Sequence, residues 1–403
     1  MNRIVESLAK LQKYCESEDF KGWDPYDGLN SRIFNAIPLL KNSAICRLAM
    51  IQLFKRNPIN LRRFALIPKD YNPKGIALFI SGYCNLYRAI EVNKELQNAF
   101  GPKEEVKSTI NRLSQLLLQL RSEGNYHGAC WGYNFDWQAR RLFLFPRYTP
   151  TVVVTSFCAT ALFDAYEITG EKDYLKFALS TAGFVINDLH RTHYEEGFLL
   201  SYSPLPGNDT VFNASMLGVK ILSMSYKYTH NPEYRELASQ VVKAVCKSQR
   251  DDGGWMYGLL PVQSWIDSFH TGYNIEALYT YRNETGDCAF DDNIKRGLEF
   301  YINNFFENDG TPKYYHNKTY PIDIHCPGQL FATLSHLNQL SQHRNLTDRV
   351  AEWTIKNMQD KAGYFYYQIK PHINSEISYM RWSNAFMFNA LSHYIKNYYC
   401  AEG

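Results

Sequence analysis

The 403-residue sequence lacks the features that separate domains or mark an extended tail. It contains no Pro/Gly/Ser-rich linker, no low-complexity segment and no long block of like charge. A chain of this length could hold two or three domains, since domains commonly run about 100 to 200 residues. Because no boundary is visible, we predict a single domain over residues 1–403.

Long apolar runs are also missing. The longest uncharged run, Tyr148 to Phe163, has 16 residues and includes Thr, Ser and Cys, whereas a membrane-spanning helix needs about 20 apolar residues. The N-terminal residues carry charges where a secretory signal needs an apolar core. We therefore predict no membrane span and a cytoplasmic location.

Neither the net charge nor the motifs indicate a nucleic-acid partner or a nucleotide cofactor. With 43 basic and 40 acidic residues, the net charge of +3 gives no reason to expect a nucleic-acid partner. No Gly-rich phosphate-binding motif occurs, so no nucleotide cofactor is indicated, and we expect no cofactor. Nine cysteines without paired spacing indicate free thiols.

Aromatic residues, in contrast, are abundant. They make up 15% of the chain, with 30 Tyr and 24 Phe. Tyr and Trp present an apolar face and one polar atom, which suits sugars, because sugars alternate C–H and O–H surfaces. The alternative is that Tyr fills interfaces between helices in a large core.

An aromatic loop between two helices recurs along the chain. A helix ends near a Gly, a short Trp/Tyr segment follows, and the next helix begins at a residue that can cap its free N–H groups. Such starts fall at Thr149, Asn208, Asp267, Asp323 and Ser378, with spacings of 59, 59, 56 and 55 residues. A period of this size holds two helices and two loops, which is typical of stacked repeats.

The repeat predicts alternating inner and outer helices. Inner helices begin near Lys74 and the five positions above, and outer helices cover 104–120, 172–189, 232–248, 292–306 and 346–358. The last inner helix has no successor, so its partner must come from the N-terminal region, and we assign 43–56. The predicted fold is all-α, a single (α/α)6 toroid whose aromatic-rich loops converge where the inner helices begin.

Several segments resemble known proteins. The sequence from Gln249 to Trp255 resembles the Gln-x-x-Asp-Gly-x-Trp repeat of squalene cyclase and protein prenyltransferase toroids, and the layout is similar to that of six-hairpin glycosidases. From Asp24 to Ile395, segments such as Trp131-Gly-Tyr-Asn-Phe-Asp-Trp-Gln, Trp265-Ile-Asp-Ser-Phe-His-Thr-Gly-Tyr and Tyr379-Met-Arg-Trp-Ser-Asn-Ala-Phe-Met resemble a bacterial toroid family found among surface-polysaccharide synthesis genes. The resemblance implies a glycan context and polysaccharide-synthesis proteins as possible partners, and it transfers no established catalytic residue.

Two Asp/His pairs occupy the same repeat position. His270 follows Asp267 by three residues, and His325 follows Asp323 by two. We predict that both pairs form one cluster, with Arg381 beside it, and that replacing either aspartate with Asn abolishes turnover without loss of stability. The alternative is that both aspartates are helix caps and both histidines are core residues.

Three reactions could use this cluster. Glycoside hydrolysis needs two carboxyl groups about 5 to 10 Å apart, which Asp267 and Asp323 could supply. A lyase or C5-epimerase needs a base and a cation, for which His270, Tyr379 and Arg381 are candidates. Converging helix N-termini favour an anionic substrate such as a uronic acid in either case. The candidate catalytic residues are Asp267, His270, Asp323, His325, Tyr379 and Arg381.

Two alternatives involve no such chemistry. Asp323, His325, Cys326 and His270 have the side chains of a zinc site, as in a zinc-dependent transferase or cyclase. However, adjacent residues on a helix point about 100° apart, so we predict no metal. A catalytically silent glycan-binding scaffold is the other alternative. The candidate substrate-binding residues are Trp131, Tyr133, Asp136, Arg140, Tyr202, Asn213, Trp255, Tyr257, Trp265, Tyr273, Tyr314, Tyr315, Tyr366 and Trp382.

Overall fold

The computed structural model describes residues 1–138 and 144–400, and these ranges are predominantly helical. The helices are α1 (Asn2–Ser17), α2 (Arg32–Asn35), α3 (Pro38–Asn42), α4 (Ala44–Arg56), α5 (Pro73–Val92), α6 (Gln97–Phe100), α7 (Lys103–Gln119), α8 (Val152–Thr169), α9 (Lys172–Asn187), α10 (Phe212–Thr229), α11 (Pro232–Lys247), α12 (Ser268–Thr285), α13 (Asp291–Phe305), α14 (His325–His336), α15 (Arg344–Met358) and α16 (Phe386–Cys400). Three 3-10 turns lie at Asp27–Asn30, Lys94–Leu96 and Pro261–Gln263, and a π-helical turn at Met380–Ala385 leads into α16.

The strands form three short antiparallel pairs in the loops. They are β1 (Trp137–Gln138) with β2 (Leu144–Phe145), β3 (Arg191–Tyr194) with β4 (Gly197–Leu200), and β5 (Ile322–Asp323) with β6 (Gln368–Ile369). In the last pair Asp323 lies opposite Gln368, which fixes one side of the site described below.

Six helices form a closed inner ring. Helices α5, α8, α10, α12, α14 and α16 each pack against the next, and α16 packs against α5. Their residues are small or apolar and mostly buried, as expected for helices with neighbours on every side. Close approach depends on residues such as Gly82, where a Cβ would lie 2.5 Å from the ring of Phe388. The predicted all-α (α/α)6 toroid is confirmed.

Five outer helices lie where the repeat predicts them. Helices α7, α9, α11, α13 and α15 pack outside α5, α8, α10, α12 and α14, respectively. Each is amphipathic; for example, α7 buries Val106, Ile110, Leu113 and Leu117 along one face.

The sixth outer helix is α1, so the prediction that 43–56 closes the ring is wrong. Helix α1 packs on α16 and α15 and buries Ile4, Leu8, Leu11 and Cys15 on one face. Three glycines mark equivalent positions of the repeat. A Cβ on Gly253, Gly310 or Gly363, each with positive φ, would lie 2.3 to 2.5 Å from a carbonyl oxygen of the following outer helix, at Arg296 of α13, Arg349 of α15 and Lys10 of α1. The carbonyl of Lys10 thus shows that α1 completes the ring.

Residues 22–70 form an N-terminal cap over the end of the ring where the inner helices begin. Within it, α4 packs on α3, on the 3-10 turn Asp27–Asn30 and on β1. The buried guanidinium of Arg62 ties the cap together, because its Nε donates to Asp27 at 2.8 Å and its Nη2 donates to the carbonyl of Asp24 at 2.8 Å. Helix α4 itself buries only Ile51 and Phe54, which is why it cannot serve as an outer helix.

One helix in the described part of the chain, α8, is long and apolar enough by composition to cross a membrane. It is the second helix of the inner ring, and 61% of its residues, Val152 to Thr169, are buried inside the structure. A core helix of the toroid passes the same test, so this feature gives weak evidence for a membrane span.

Candidate active site

The first Asp/His pair lies where α12 begins. Asp267 Oδ1 accepts the backbone N–H of His270 at 3.1 Å, which makes Asp267 the helix cap. Its Oδ2 lies 2.8 Å from His270 Nδ1 and accepts the indole N–H of Trp265 at 3.0 Å. The carboxylate therefore both caps the helix and orients the imidazole, whose side chain is 21% exposed. Tyr257 stacks on Trp265 and contacts the His270 ring.

The second aspartate is an anchor inside the structure. Asp323 is fully buried, and its Oδ1 accepts the backbone N–H of His325 at 3.0 Å and the indole N–H of Trp382 at 2.8 Å. Its Oδ2 accepts the amide N–H of Gln368 at 2.6 Å. Burial raises the pKa of Asp323, while these three donors act in the opposite direction. With its oxygens so occupied, Asp323 positions Trp382 and the start of α14.

We expect Asp323→Asn to lower the free energy of unfolding by about 1 to 3 kcal/mol, because an amide N–H₂ would face one of three buried N–H donors. This replaces the expectation from sequence that stability stays unchanged. Urea denaturation measures it, with Asp173→Asn on the exposed side of α9 as the control. Equal stability of both variants would mean that the Asp323 carboxylate is not a required acceptor.

The two histidines meet across Tyr273. The Tyr273 hydroxyl lies 2.7 Å from His325 Nε2, and the Tyr273 ring centroid lies 5.9 Å from that of His270 and 6.1 Å from that of His325. Phe269 also contacts both imidazoles. Burial, followed by Lys74, holds the pKa of His325 well below 6.5, so its imidazole is neutral. Its Nδ1 finds no hydrogen-bond partner among the described residues.

Lys74 lies beneath this pair. It is buried at the start of α5, with Nζ 3.5 Å from the Tyr273 hydroxyl and 4.0 Å from the ring centroid of Phe157. No carboxylate in the described ranges forms an ion pair with it. Burial, followed by the charge of Arg381, holds the pKa of Lys74 well below 10.5. The amine, phenol and imidazole of Lys74, Tyr273 and His325 form a chain of groups that can pass a proton.

Arg381 connects the site to the N-terminal cap. Its Nε and Nη2 donate to Asp24 at 2.5 and 2.8 Å, and both side chains are buried. The guanidinium carbon lies 5.1 Å from the ring centroids of Tyr133 and Trp382. From the cap, the ring of Tyr26 lies 5.8 Å from that of Trp382. Asp24 therefore neutralises Arg381, and the cap covers the mouth of the ring.

No protein-family model and no curated protein sequence matches the chain, whereas solved structures do. An unsaturated glucuronyl hydrolase specific for heparin matches with a TM-score of 0.60 and 12% identity, covering 100% of this chain and 97% of that chain. A sugar epimerase from a ruminal bacterium matches with 0.57 and 13%, covering 82% and 89%. A GH76 α-mannanase of Bacteroides thetaiotaomicron matches with 0.59 and 13%, covering 82% and 86%.

The chain has the six-hairpin toroid fold. At these identities the similarity establishes the architecture, and the chemistry has to be argued from the site. The predicted association with surface-polysaccharide synthesis stays a prediction.

Most of the predicted aromatic residues lie at the mouth of the toroid. Tyr257 and Trp265 contact the first Asp/His pair, Tyr314 contacts Phe269, and Tyr133 lies under Arg381. The half-buried residues of this group are Tyr133, Tyr202, Tyr257, Trp265, Tyr314 and Tyr315. Asn213 borders a small cavity beside Asp267 and His270, and its buried Oδ1 has no partner among the described residues, which suits a substrate contact.

Other predicted residues serve the framework. Trp131 and Trp255 are buried, and their indole N–H groups donate to the carbonyls of Leu117 and Val245, so both are corrected to packing residues. The Tyr366 hydroxyl donates to Asp360 within the loop after α15.

Three further predicted residues also stand apart from the histidine pair. Tyr379 is fully buried beneath the guanidinium of Arg62, so it is corrected to a support of the N-terminal cap. Asp136 accepts the backbone N–H of Arg147 within its loop. Arg140 lies outside the described residues.

Three residues of the site were not predicted from the sequence. Lys74 is the only charge in the run Lys-Gly-Ile-Ala-Leu-Phe-Ile, and a charge at the start of an apolar inner helix was a usable signal. Asp24 lies in a segment with Gly22, Pro25 and Gly28, a composition that disfavours helix, and nothing local indicates that it pairs with Arg381. Phe269 falls between the two residues of the first pair and looks like an ordinary core residue.

The suspected zinc ligands do not form a metal site. No group of three or more His, Cys, Asp or Glu side chains that could hold an ion occurs within residues 1–138 and 144–400. Asp323 is engaged by three N–H donors, and burial raises the pKa of the Cys326 thiol well above 9.

A polar channel lies below the mouth, inside the ring. Tyr273, Phe157 and Phe386 separate it from Lys74 and the histidine pair, and its lining includes Lys220, Glu276, His336 and His393. Lys220 and His336 lie 3.6 and 3.7 Å from Glu276 Oε2, and Gln329 and Thr333 donate to Oε1. This network is internally paired, so we assign it to the framework.

The channel predicts a pH dependence of stability through His393. Burial, followed by Lys396, holds its pKa well below 6.5 in the folded state. Below about pH 6.5 the unfolded chain therefore takes up a proton that the folded chain does not, and stability is lost as pH falls. Relative to His393→Gln, we expect the wild type to lose up to about 1.4 kcal/mol per pH unit in this range, measured by urea denaturation. Parallel stability curves would contradict the assignment.

Proposed function

We propose that the toroid is a carbohydrate-active enzyme that moves a proton at a sugar carbon in the mouth, as an epimerase or isomerase does. The observation that carries this proposal is the pairing of an Asp267-oriented His270 with the buried, neutral His325 across Tyr273. An imidazole oriented by a carboxylate and a second imidazole hydrogen-bonded to a phenol can together remove a proton and return one.

The proposed chemistry starts at His270. Its Nδ1–H donates to Asp267, which leaves the Nε2 lone pair free to accept a proton. The proton comes from the carbon next to a carbonyl or carboxylate group, and the electron pair of the broken C–H bond forms an enediolate. Helix N-termini at α12 and α14 favour the negative oxygen. A proton from the chain of Lys74, Tyr273 and His325 then forms a new C–H bond on the opposite face, so the composition is unchanged.

Hydrolysis is the second candidate. It is supported by the coverage of the whole chain by a heparin-specific unsaturated glucuronyl hydrolase and by the capacity of an Asp/His pair to activate water. Against it, Asp24 and Asp323 are fully engaged by N–H donors, and inverting or retaining hydrolysis needs two available carboxyl groups. A sugar epimerase and a cellobiose 2-epimerase share the fold, which supports the first candidate.

A substrate with a uronic acid is favoured by the helix N-termini at the mouth and by Lys55 of α4, which reaches the Tyr26 hydroxyl at 2.6 Å. Surface-polysaccharide synthesis would supply such glycans, and its proteins are the proposed partners. Comparing uronic-acid oligosaccharides with neutral ones of equal length tests this part separately.

The experiment is a screen of both oligosaccharide classes with the purified protein in D₂O, followed by mass spectrometry. Epimerisation replaces one carbon-bound hydrogen with deuterium and keeps the chain length. Cleavage with addition of water would establish the hydrolase instead, and cleavage to an unsaturated product would establish a lyase. Binding without any mass change across the panel would indicate the glycan-binding scaffold and overturn the proposed function.

A further inference from the structure

Exposed hydrophobic side chains concentrate on the N-terminal cap. Twelve large ones are exposed among the described residues, and eight of these fall between residues 33 and 66: Ile33, Ile37, Leu39, Ile45, Leu53, Ile59, Phe64 and Leu66. The most exposed are Leu39 at 86% and Phe64 at 79%. Single exposed apolar residues are ordinary, but a concentration of them marks an interaction surface.

Helix α4 shows that this exposure is patterned. Ile45, Ala49 and Leu53 are exposed at intervals of four residues, so they share one face of the helix. Ile51 and Phe54 are buried on the opposite face, where α4 packs on the rest of the N-terminal cap. The helix is therefore apolar on both sides, and among the described residues only its inner side is covered.

The same segment is exclusively basic. Residues 28–69 contain eight Lys and Arg residues and no Asp or Glu. Arg62 and Lys69 are paired with Asp27 and Glu18. The four exposed members are Arg32, Lys41, Arg56 and Arg63. The outer face of the N-terminal cap thus combines exposed aliphatic and aromatic groups with positive charges that form no ion pair within residues 1–138 and 144–400.

We propose that this face binds the surface of an anionic lipid bilayer. Apolar side chains can insert among acyl chains while the Lys and Arg side chains contact lipid phosphates, which is the pattern of peripheral membrane attachment. A second copy of the chain fits less well. A symmetric dimer would bring the same basic face against itself, and no acidic residue between 28 and 69 is available to compensate.

Binding would place the mouth close to the membrane. The outer face contacts the bilayer, while Tyr26 and Lys55 of the same N-terminal cap lie against the site. The proposal does not depend on which reaction the site catalyses.

The test is co-sedimentation of the full-length protein with two kinds of vesicle, phosphatidylcholine alone and equal parts of phosphatidylcholine and phosphatidylglycerol. We expect binding to the anionic vesicles only, weakening as salt is raised. Combining Leu39→Ser, Ile45→Ser and Phe64→Ser is expected to lower the partition coefficient at least tenfold. Each of Arg32→Gln, Lys41→Gln and Arg63→Gln is expected to lower it about fivefold.

The control combines Val92→Ser, Val262→Ser and Ile373→Ser, three large apolar residues outside the N-terminal cap that are 54 to 59% exposed. It should bind vesicles like the wild type, and circular dichroism should show all variants folded. The proposal is overturned if anionic vesicles bind neither the wild type nor the control variant, or if the cap triple variant and the control triple variant lose binding equally. It is also overturned if the cap substitutions instead dissociate a dimer that light scattering detects. Capture of an acidic protein partner without vesicle binding would also overturn it.

Discussion

Replacing His270 with Gln is expected to lower turnover of the responsive glycan, meaning the substrate that the D₂O screen identifies, by about 10²- to 10⁴-fold. This is the usual contribution of a general base. Gln keeps a polar side chain near Asp267 but cannot take up a proton at the pH of catalysis. Because the His270 side chain is partly exposed and its backbone N–H still caps onto Asp267, we expect thermal stability to change little. Steady-state kinetics on the substrate identified by the D₂O screen measures the effect.

The toroid offers a close control for this variant. His127 Nδ1 lies 2.7 Å from Asp188 Oδ1, the same kind of pair on an outer loop, with the imidazole 63% exposed. His127→Gln should therefore retain full activity. If His270→Gln were as active as His127→Gln, His270 would have no part in catalysis. Asp267 would then be only a helix cap and His270 only its hydrogen-bond partner.

Replacing Asp24 with Ala is expected to lower the free energy of unfolding by about 3 to 5 kcal/mol, because it leaves the buried Arg381 guanidinium without its counterion. Asp24 also accepts the backbone N–H of Tyr26 at 3.0 Å, so the start of the N-terminal cap loses an anchor. Chemical denaturation measures the loss. Asp292→Ala, which removes a half-exposed pair with Arg296 on α13, should cost less than about 1 kcal/mol.

A double variant separates charge burial from the loss of packing. Adding Arg381→Met to Asp24→Ala removes the stranded cation, and we expect it to recover part of the stability. If Asp24→Ala alone costs no more than the surface control, Arg381 must be open to solvent. The guanidinium would then be available to a substrate, contrary to the closed pair described here.

The repeat made the ring predictable from sequence. Outer helix 172–189 was predicted and α9 covers 172–187, because a charged face, an apolar face and a Gly-ended predecessor recur at each step. Asp267 was recognisable since helix capping and a histidine one turn later can be read locally. Local signals of this kind survive into the structure when each unit contacts only its neighbours.

What joins the two ends of the chain was not predictable in the same way. Helix α1 carries apolar residues at helical spacing, yet nothing in its own sequence says that Lys10 meets Gly363. The pairing of Asp24 with Arg381 spans the whole chain, and the anchoring of Asp323 by Gln368 depends on a two-residue strand pair. Each of these contacts joins residues that lie far apart in sequence and meet only when the ring closes. Local sequence patterns therefore do not predict them.

Aromatic residues show the same division. Tyr257 and Trp265 lie beside His270, whereas Trp131 and Trp255 have equally prominent motifs but donate their indole N–H groups to backbone carbonyls of α7 and α11. A Trp in one of these loops packs against an outer helix or lines the mouth, depending on the direction of its side chain. The motif alone does not distinguish these two directions.

The measurement that tests the location of the site most directly is amide hydrogen exchange with and without the responsive glycan. We predict protection in peptides covering 254–273 and 312–326, where the two Asp/His pairs and the mouth aromatics lie. Protection confined to the channel, in peptides around Lys220, His336 and His393, would contradict the assignment of the mouth as the glycan site.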